Sequence, residues 1–557
     1  MLYPKMNKYR DVYSLNGIWG FKTISGEYSQ KEIPTDLAPM AVPASYNEIV
    51  TDRKTRDHVG KVLYETTFSI PTSEDKIYRL RIGSASHKCD VYLNGEKIGC
   101  GINGHYPVDL PLENLKEKNR LSVVIDNRLD FQCFPTASYA DGKQVIHHDF
   151  YNFTGIHRDV IIYSLPKNHI EDVTIKTVVD GDYGKVRVDT KTTCKSVKYT
   201  VLDKYGRTVA ESGSENIEIK NPELWSPESP YLYTLVIETE CDKYEERFGI
   251  RKITVTEKQI LINDKPVYIK GFGMHEDFTV LGKGKSTPLN IRNFELLKWI
   301  NANSFRTSHY PYSEEIMDLA DEYGMLVIDE VPAVGMNFWE GGSFCPEHIN
   351  DESKELHKEL VRLLVERDKN HPSVIAVSIA NEPACHEENG RAYFEDVFAY
   401  ARTVTDLPLT FAESMPFAQD LCCQLCDFIM LNRYYSWYDF HGELDGIEEA
   451  LASEVTNFHK KYKKPIILSE FGADTIEGVH SLPYDSFSEE YQKECIERNC
   501  TTLDKFDFCV GEHVWNFADF KTKQGLTRAR GNRKGVFTRD RQPKLSAHYL
   551  RERWSHK

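Results

Sequence analysis

The first part of the chain contains short stretches in which apolar and polar positions trade places, the period of a strand with one buried face. Residues 62–70 begin apolar and then alternate, 77–82 alternate throughout, and 121–125 form a further β-prone run. Asn94-Gly95 separates two such runs. That pair accepts the positive φ of a type I′ turn and so predicts a hairpin. Strands this short and this closely spaced predict an all-β sandwich over 1–165. Over 166–257 the pattern shifts. Residues 185–189 and 232–238 alternate cleanly, while the stretch from Asn221-Pro222 to Ser226-Pro227 cannot be a central strand. About ninety residues with this spacing fit an immunoglobulin-like sandwich.

From 258 to 557 short apolar runs alternate with helical stretches. The runs fall at 268–273, 304–308, 326–330, 374–379, 409–412, 429–432, 466–469 and 510–515. Between them, 355–365 places Leu356, Leu360, Leu363 and Leu364 on one helical face, with Asp351 or Ser353 as its cap. Eight strands with intervening helices match a (β/α)₈ TIM barrel. Periodicity alone also admits a doubly wound sheet. On a barrel, the residues just past the C-terminal ends of the strands line one mouth. Here those positions hold His275-Glu276, His309-Tyr310, Asp329-Glu330, Asn381-Glu382, Glu413, Tyr434-Tyr435, Glu470, and Glu512 with Trp515.

Composition narrows the picture. A chain of 557 residues exceeds one hydrophobic core and implies several domains. Its 69 basic and 85 acidic residues leave a formal charge of −16, which favours solubility and argues against a nucleic-acid partner. There is no apolar run long enough for a membrane span. No apolar leader follows the first charges, so a cytoplasmic protein is expected, with export through a removed signal left open. The 13 cysteines are odd in number and lack framework spacing, which reads as free thiols in a reducing compartment. Cys422, Cys423 and Cys426 cluster without a second ligand pair at zinc spacing. Neither metal nor cofactor is expected.

Cleaving a glycosidic bond takes one group to protonate the leaving oxygen and another to attack or stabilise the anomeric carbon. Two carboxyls whose environments separate their pKa values suit both tasks. Glu382 follows an apolar strand and precedes Pro383, which ends the extended run. Glu470 ends the run 465–468. On a barrel these fourth and seventh strands face each other across the mouth. A non-catalytic carbohydrate-binding protein is the rival from another class, and the two glutamates argue against it.

The segments Val377-Ser378-Ile379-Ala380-Asn381-Glu382-Pro383 and Ile467-Leu468-Ser469-Glu470-Phe471-Gly472-Ala473 resemble the acid/base and nucleophile signatures of the β-glucuronidase and β-galactosidase family of glycoside hydrolases. Gly17-Ile18-Trp19, Gly155-Ile156-His157-Arg158, Asn263-Asp264-Lys265-Pro266, Lys270-Gly271-Phe272 and Arg306-Thr307-Ser308-His309-Tyr310-Pro311 recur in family order, so the resemblance spans nearly the whole chain. It implies a jelly-roll domain, an immunoglobulin-like domain and a catalytic TIM barrel. It also implies a retaining mechanism, with Glu470 as nucleophile, Glu382 as acid/base and carboxyls about 5–5.5 Å apart. Asn381 would bond the sugar 2-hydroxyl. Glu413 and Glu512 are secondary candidates. A homo-oligomer, such as a tetramer, is part of the same implication.

The sugar specificity would lie around C6. A bound carboxylate wants a cation and a neutral amide. The run from Arg528 to Gly535 offers Arg528, Asn532 and Lys534, and in an extended segment the last two would point the same way. Asn532-Arg533-Lys534 resembles the Asn-x-Lys motif with which family members acting on glucuronides hold the uronic acid. Asn432 to Tyr438 resembles their tyrosine-bearing segment. By that resemblance Tyr434 approaches Glu470, Tyr438 lies near the carboxylate pocket, Asp149 reaches in from the first domain, and His309 and Trp515 line the sugar subsite. The expected substrates are glucuronide conjugates or glucuronide-terminated glycans, with galacturonides and galactosides as the alternatives. Residues 336–351 form a shorter loop than some gut-bacterial members carry, which implies a more open mouth and room for larger substrates.

Overall fold

The computed structural model describes residues 2–26, 28, 34–338 and 341–557. The first block forms two facing sheets. One contains, in spatial order, Ala38–Val42, Gly17–Ile24, Lys61–Phe68, Asn119–Asp126, Lys88–Leu93 and Glu96–Gly101. The other contains Val12–Ser14, Val160–Pro166, Lys76–Ile82 and Val108–Leu112. Both contribute inward side chains to one core, including Trp19, Phe21, Tyr64, Leu80, Val123 and Ile162. The apolar start of Lys61–Phe68 has its own cause: Leu63 points to the outer face, where it is covered together with Tyr92 and Val124. Asn94 and Gly95 take φ values of 53° and 89° and close the expected hairpin, pairing Leu93 with Glu96.

The second block is a smaller sandwich. Ile170–Asp180, Tyr183–Thr192 and Asn216–Lys220 face a sheet of Thr208–Ser212, Lys198–Leu202, Tyr233–Glu238 and Lys243–Phe248. Val173, Val188, Tyr199, Val201, Leu235 and Ile237 fill the space between them. The Pro-rich stretch 221–231 forms no strand. It carries Trp225, fully buried, whose indole N–H donates to the Asp321 carbonyl at 2.9 Å. That ring packs with Ile328, Ile375, Met430 and Ile467 and so joins this sandwich to the barrel.

The third block closes a barrel of eight parallel strands: β1 (Ile269–Gly273), β2 (Ser304–Arg306), β3 (Leu326–Glu330), β4 (Val374–Asn381), β5 (Leu409–Glu413), β6 (Ile429–Asn432), β7 (Ile466–Glu470) and β8 (Cys509–Val514). All eight fall on the expected runs, and closure excludes the doubly wound alternative. Strands buried on both faces read as continuous apolar runs, as these do. Between β3 and β4 runs helix α1 (Asp351–Asp368). Its cap is Asn350, not Asp351: the Asn350 side chain accepts from the Ser353 N–H at 3.1 Å, and Ser353 completes a capping box. Its buried face is centred on His357, Leu360, Val361 and Leu364, with Leu356 and Leu363 packing at the flanks. Among the described residues, no helix is long and apolar enough to cross a membrane.

Trp225 gives a direct test of how the second sandwich is joined to the barrel. Truncating a large, fully buried aromatic costs about 3–5 kcal/mol. Trp225→Ala should therefore lower the unfolding free energy extracted from the urea transition of the barrel by that amount, and Trp225→Phe by clearly less. Equal, small effects of both would mean that the barrel does not lean on this contact.

Candidate active site

The barrel strands deliver polar side chains to one mouth, as β–α connectivity requires. A pocket of about 460 Å³ opens there. Its walls include Asp149, His309, Asn381, Glu382, Tyr434, Tyr438, Glu470, Trp515, Arg528 and Asn532, ten of the residues singled out in the sequence. Lys534, Glu413 and Glu512 stand outside it.

Glu470, at the end of β7, is buried, and both its carboxylate oxygens are engaged. Arg306 forms a short ion pair with one, and the Tyr434 hydroxyl donates to the other at 2.6 Å. Arg306 itself is sealed from solvent and also bonds Glu330 at 2.7 Å. Burial alone would lower the Arg306 pKa, but Glu330 and Glu470 more than offset it, and the guanidinium is held firmly charged. Glu330 also accepts from Ser378 and meets His309 Nδ1, each at 2.7 Å. Burial would raise the Glu330 pKa, yet Arg306 and His309 bring it below the usual value.

Glu382 stands one residue past β4 in a different setting. Pro383 does end the strand, but Glu382 adopts φ +50°, in the left-handed region rather than extended. A non-glycine residue held there is strained, and such strain gathers at functional sites. The Asn432 amide donates to its carboxyl at 2.8 Å. Its pKa is pushed up to about 7, first by burial and then by the charge on Glu470. The two carboxyls thus sit in different settings: Glu470 is bonded by Arg306 and Tyr434, while Glu382 retains a proton near neutrality. Asn432 further reaches Asn381 at 3.3 Å and accepts from Ser469 at 2.8 Å, tying β4, β6 and β7 together.

Aromatic rings complete the wall. Trp515 stacks on His309 with centroids 5.1 Å apart. Gly273, at the end of β1, makes room for it, since a Cβ there would lie 2.5 Å from the indole. The first sandwich contributes Asp149, which bonds Arg528 at 2.8 Å and the Asn532 amide at 2.8 Å.

Asn532 Oδ1 accepts the Lys534 backbone N–H at 3.0 Å, and the two side chains share one network, in which Arg528 bonds both the Asp149 held by Asn532 and the Tyr438 hydroxyl held by Lys534. Asn532 lines the pocket. The Lys534 ammonium lies behind Tyr438, fully buried, with Asp474 at 2.6 Å and the Tyr438 hydroxyl at 2.9 Å. Arg528 reaches the same hydroxyl at 2.6 Å.

The secondary candidates lie elsewhere. Glu512 faces the C-terminal helix, where it takes bonds from Tyr268, Arg553 and the Trp554 indole at 2.6–2.9 Å. It is a brace for that helix. Glu413 is buried beside Asp420, and burial and that neighbour raise its pKa well above normal. Of the loop 336–351, Trp339 and Glu340 lie outside the described residues. Asn337 lines the pocket, and Ser343 and Phe344 donate their N–H groups to Glu387 at 2.8–3.1 Å.

Sequence reasoning gave no role to Arg306, Glu330 or Asn432, although each lies in a segment it named, and it missed Asp474. Arg306 and Glu330 each end a strand that is otherwise apolar, and a charge there must find a buried partner. That signal was available. The Asp474 pairing comes from distant chain segments and left none.

Three family models cover the chain. The glycosyl hydrolases family 2 sugar binding domain matches 13–166, the glycosyl hydrolases family 2 model matches 168–251, and the family 2 TIM barrel domain matches 253–557. A β-glucuronidase of Paenibacillus borealis is 41% identical, over all of this chain and 98% of its own length. The solved β-glucuronidase of an uncultured Clostridium sp. is 45% identical, with a TM-score of 0.98 and full coverage of both chains. A Ruminococcus gnavus β-glucuronidase in complex with D-glucaro 1,5-lactone is 39% identical, with a TM-score of 0.93 and 99% coverage of each chain. With three models matched in order and relatives similar from end to end, this chain belongs to family 2 of the glycosyl hydrolases.

Proposed function

We propose that this chain is a β-glucuronidase that hydrolyses terminal β-D-glucuronides by double displacement through a covalent glycosyl-enzyme. Its relatives carry that name along their full length, and one of them binds a glucaric acid lactone. The observation that carries the mechanism is the unequal pair of glutamates in one pocket. Glu470, bonded by Arg306 and Tyr434, is the nucleophile that attacks the anomeric carbon. Glu382, protonated near neutral pH, gives its proton to the aglycone oxygen. Once Glu470 is esterified its negative charge is gone. The second of the two influences raising Glu382 disappears with it, so Glu382 ionises more readily and takes the proton of the incoming water. Asn381 holds the sugar 2-hydroxyl, and His309 and Trp515 cover the ring. Arg528, Asn532 and Tyr438 meet the sugar carboxylate, with Lys534 supplying charge from behind Tyr438. A homo-oligomer belongs to the same reading on family resemblance alone. The short run from 336 to 351 favours glycan-linked substrates alongside small conjugates.

The pH dependence has a definite sign. Because Glu382 must be protonated to act as acid, kcat/KM for an aryl β-D-glucuronide should fall as pH rises through about 7. A profile that stays flat to well above this value would move proton donation to another group.

Replacing either glutamate separates their roles. Glu382→Ala should slow poor leaving groups by about 10²–10⁴-fold and good ones far less, with azide restoring turnover. A 2-deoxy-2-fluoro glucuronyl donor should label a single peptide, the one bearing Glu470. A label on any other residue would remove Glu470 from the nucleophile's role.

Lys534→Ala should reduce kcat/KM for the aryl β-glucuronide by about 10²-fold or more, since it takes a buried charge from the carboxylate's environment. Turnover of the matched β-galactoside, however slow, should change little. Asn532→Ala, which leaves the Lys534–Asp474 pair intact, should show the same selectivity with a smaller loss. Equal losses on both sugars would overturn the carboxylate assignment.

A further inference from the structure

All 13 cysteines carry free thiols, and most are buried in the sandwich and barrel cores. One pair differs. Cys194 sits in the turn between Tyr183–Thr192 and Lys198–Leu202, and Cys241 sits in the turn between Tyr233–Glu238 and Lys243–Phe248. These turns meet at one end of the second sandwich, and both thiols are only half-buried. Their sulfurs lie 3.0 Å apart, although the residues are 47 positions apart in the chain. A disulfide needs about 2.05 Å, so closing the gap takes a shift of about 1 Å.

The backbone on both sides is already set. Thr192 Oγ1 holds the Cys194 N–H at 3.1 Å, and Thr239 Oγ1 holds the Cys241 N–H at 3.3 Å. Cys241 Sγ also approaches the Asn168 carbonyl at 3.3 Å, in the connection between the two sandwiches. The adjacent Asp242 is fully buried. It takes Arg10 Nε at 2.9 Å from the first sandwich and the Ile170 N–H at 2.8 Å from the second. The thiols therefore sit on the joint between two rigid bodies.

Glu240 makes a metal the competing reading, since its carboxylate lies close to both sulfurs. Two facts weigh against it. The Glu240 oxygens already accept the Lys195 N–H at 2.9 Å and the Ser196 hydroxyl at 3.1 Å. Three donors also fall short of the four that a structural zinc site uses.

We propose that Cys194 and Cys241 form a reversible disulfide that staples two turns at one end of the second sandwich under oxidising conditions. With a peroxide as oxidant, one thiolate attacks a peroxide oxygen, giving a sulfenic acid and releasing water after protonation. The second thiol then attacks that sulfur, forming the S–S bond and releasing a second water. Two thiols lose two electrons and two protons, and one peroxide becomes two waters. A dithiol reductant reverses the bond by exchange. The cross-link closes a long loop and so restricts the unfolded chain.

The test uses the full chain, treated with hydrogen peroxide or with dithiothreitol. Non-reducing peptide mapping should find the Cys194 and Cys241 peptides joined, with the loss of two hydrogens, and separated again by dithiothreitol. The unfolding midpoint of the oxidised protein should lie a few degrees above that of the reduced protein. Hydrolysis at room temperature should be unchanged. Cys194→Ser and Cys241→Ser, each alone, should abolish both the cross-link and the shift. Irreversible oxidation of single cysteines without a cross-link would overturn the proposal, as would a cross-link that leaves the midpoint unmoved. Zinc binding in calorimetry that protects both thiols from peroxide and is lost in Cys194→Ser would replace it with a metal site.

Discussion

A guanidinium sealed from solvent has to be neutralised where it stands, and Arg306 is neutralised twice. Glu330 lies on one side and Glu470 on the other, all three at the ends of barrel strands. Stranding any one of them would leave an uncompensated buried charge, which costs several kcal/mol. The positions of β2, β3 and β7 at the mouth are thereby coupled to one another. Glu470 is bound into this triad, whereas Glu382 stands outside it and has its pKa pushed up to about 7 by burial and by Glu470.

The same division runs through the rest of the mouth. Charged groups such as Arg306 and Glu330 are tied into networks reaching several strands, whereas the Glu382 carboxyl takes its side-chain hydrogen bond from the Asn432 amide. On the opposite wall Lys534 is not free either. It is held by Asp474 and covered by the Tyr438 ring, which sits 4.7 Å from the ammonium. A cation kept in this way acts on the pocket through its field and through the tyrosine hydroxyl, as well as by direct contact. That arrangement keeps the ammonium from bulk solvent, since Lys534 is fully buried.

Much of this was legible in the chain. Period-two alternation and the Asn94-Gly95 turn mark the sandwiches because one face of each strand is buried. The eight barrel strands stand out for the opposite reason, being buried on both faces. Glu382 and Glu470 could be picked out because a carboxyl ending an apolar strand demands an explanation. The departures have local causes. Asn532 and Lys534 do not sit in a regular strand, because the asparagine side chain accepts the lysine backbone N–H. Glu512 turned outward because alternate residues of β8 face opposite ways, and its side chain meets Trp554 from the C-terminal helix. Asn350 displaced the expected cap by one position, a difference that capping residues of similar chemistry do not reveal. The Asp149–Arg528 contact joins residues 379 positions apart, and no periodicity reports that.

That last contact has a consequence for how the protein comes into being. The carboxylate at position 149 leaves the ribosome early, while the arginine and asparagine it binds are among the last segments made. Until both have been made, one wall of the pocket has no partner for its aspartate, and the site is a joint product of the two ends of the chain.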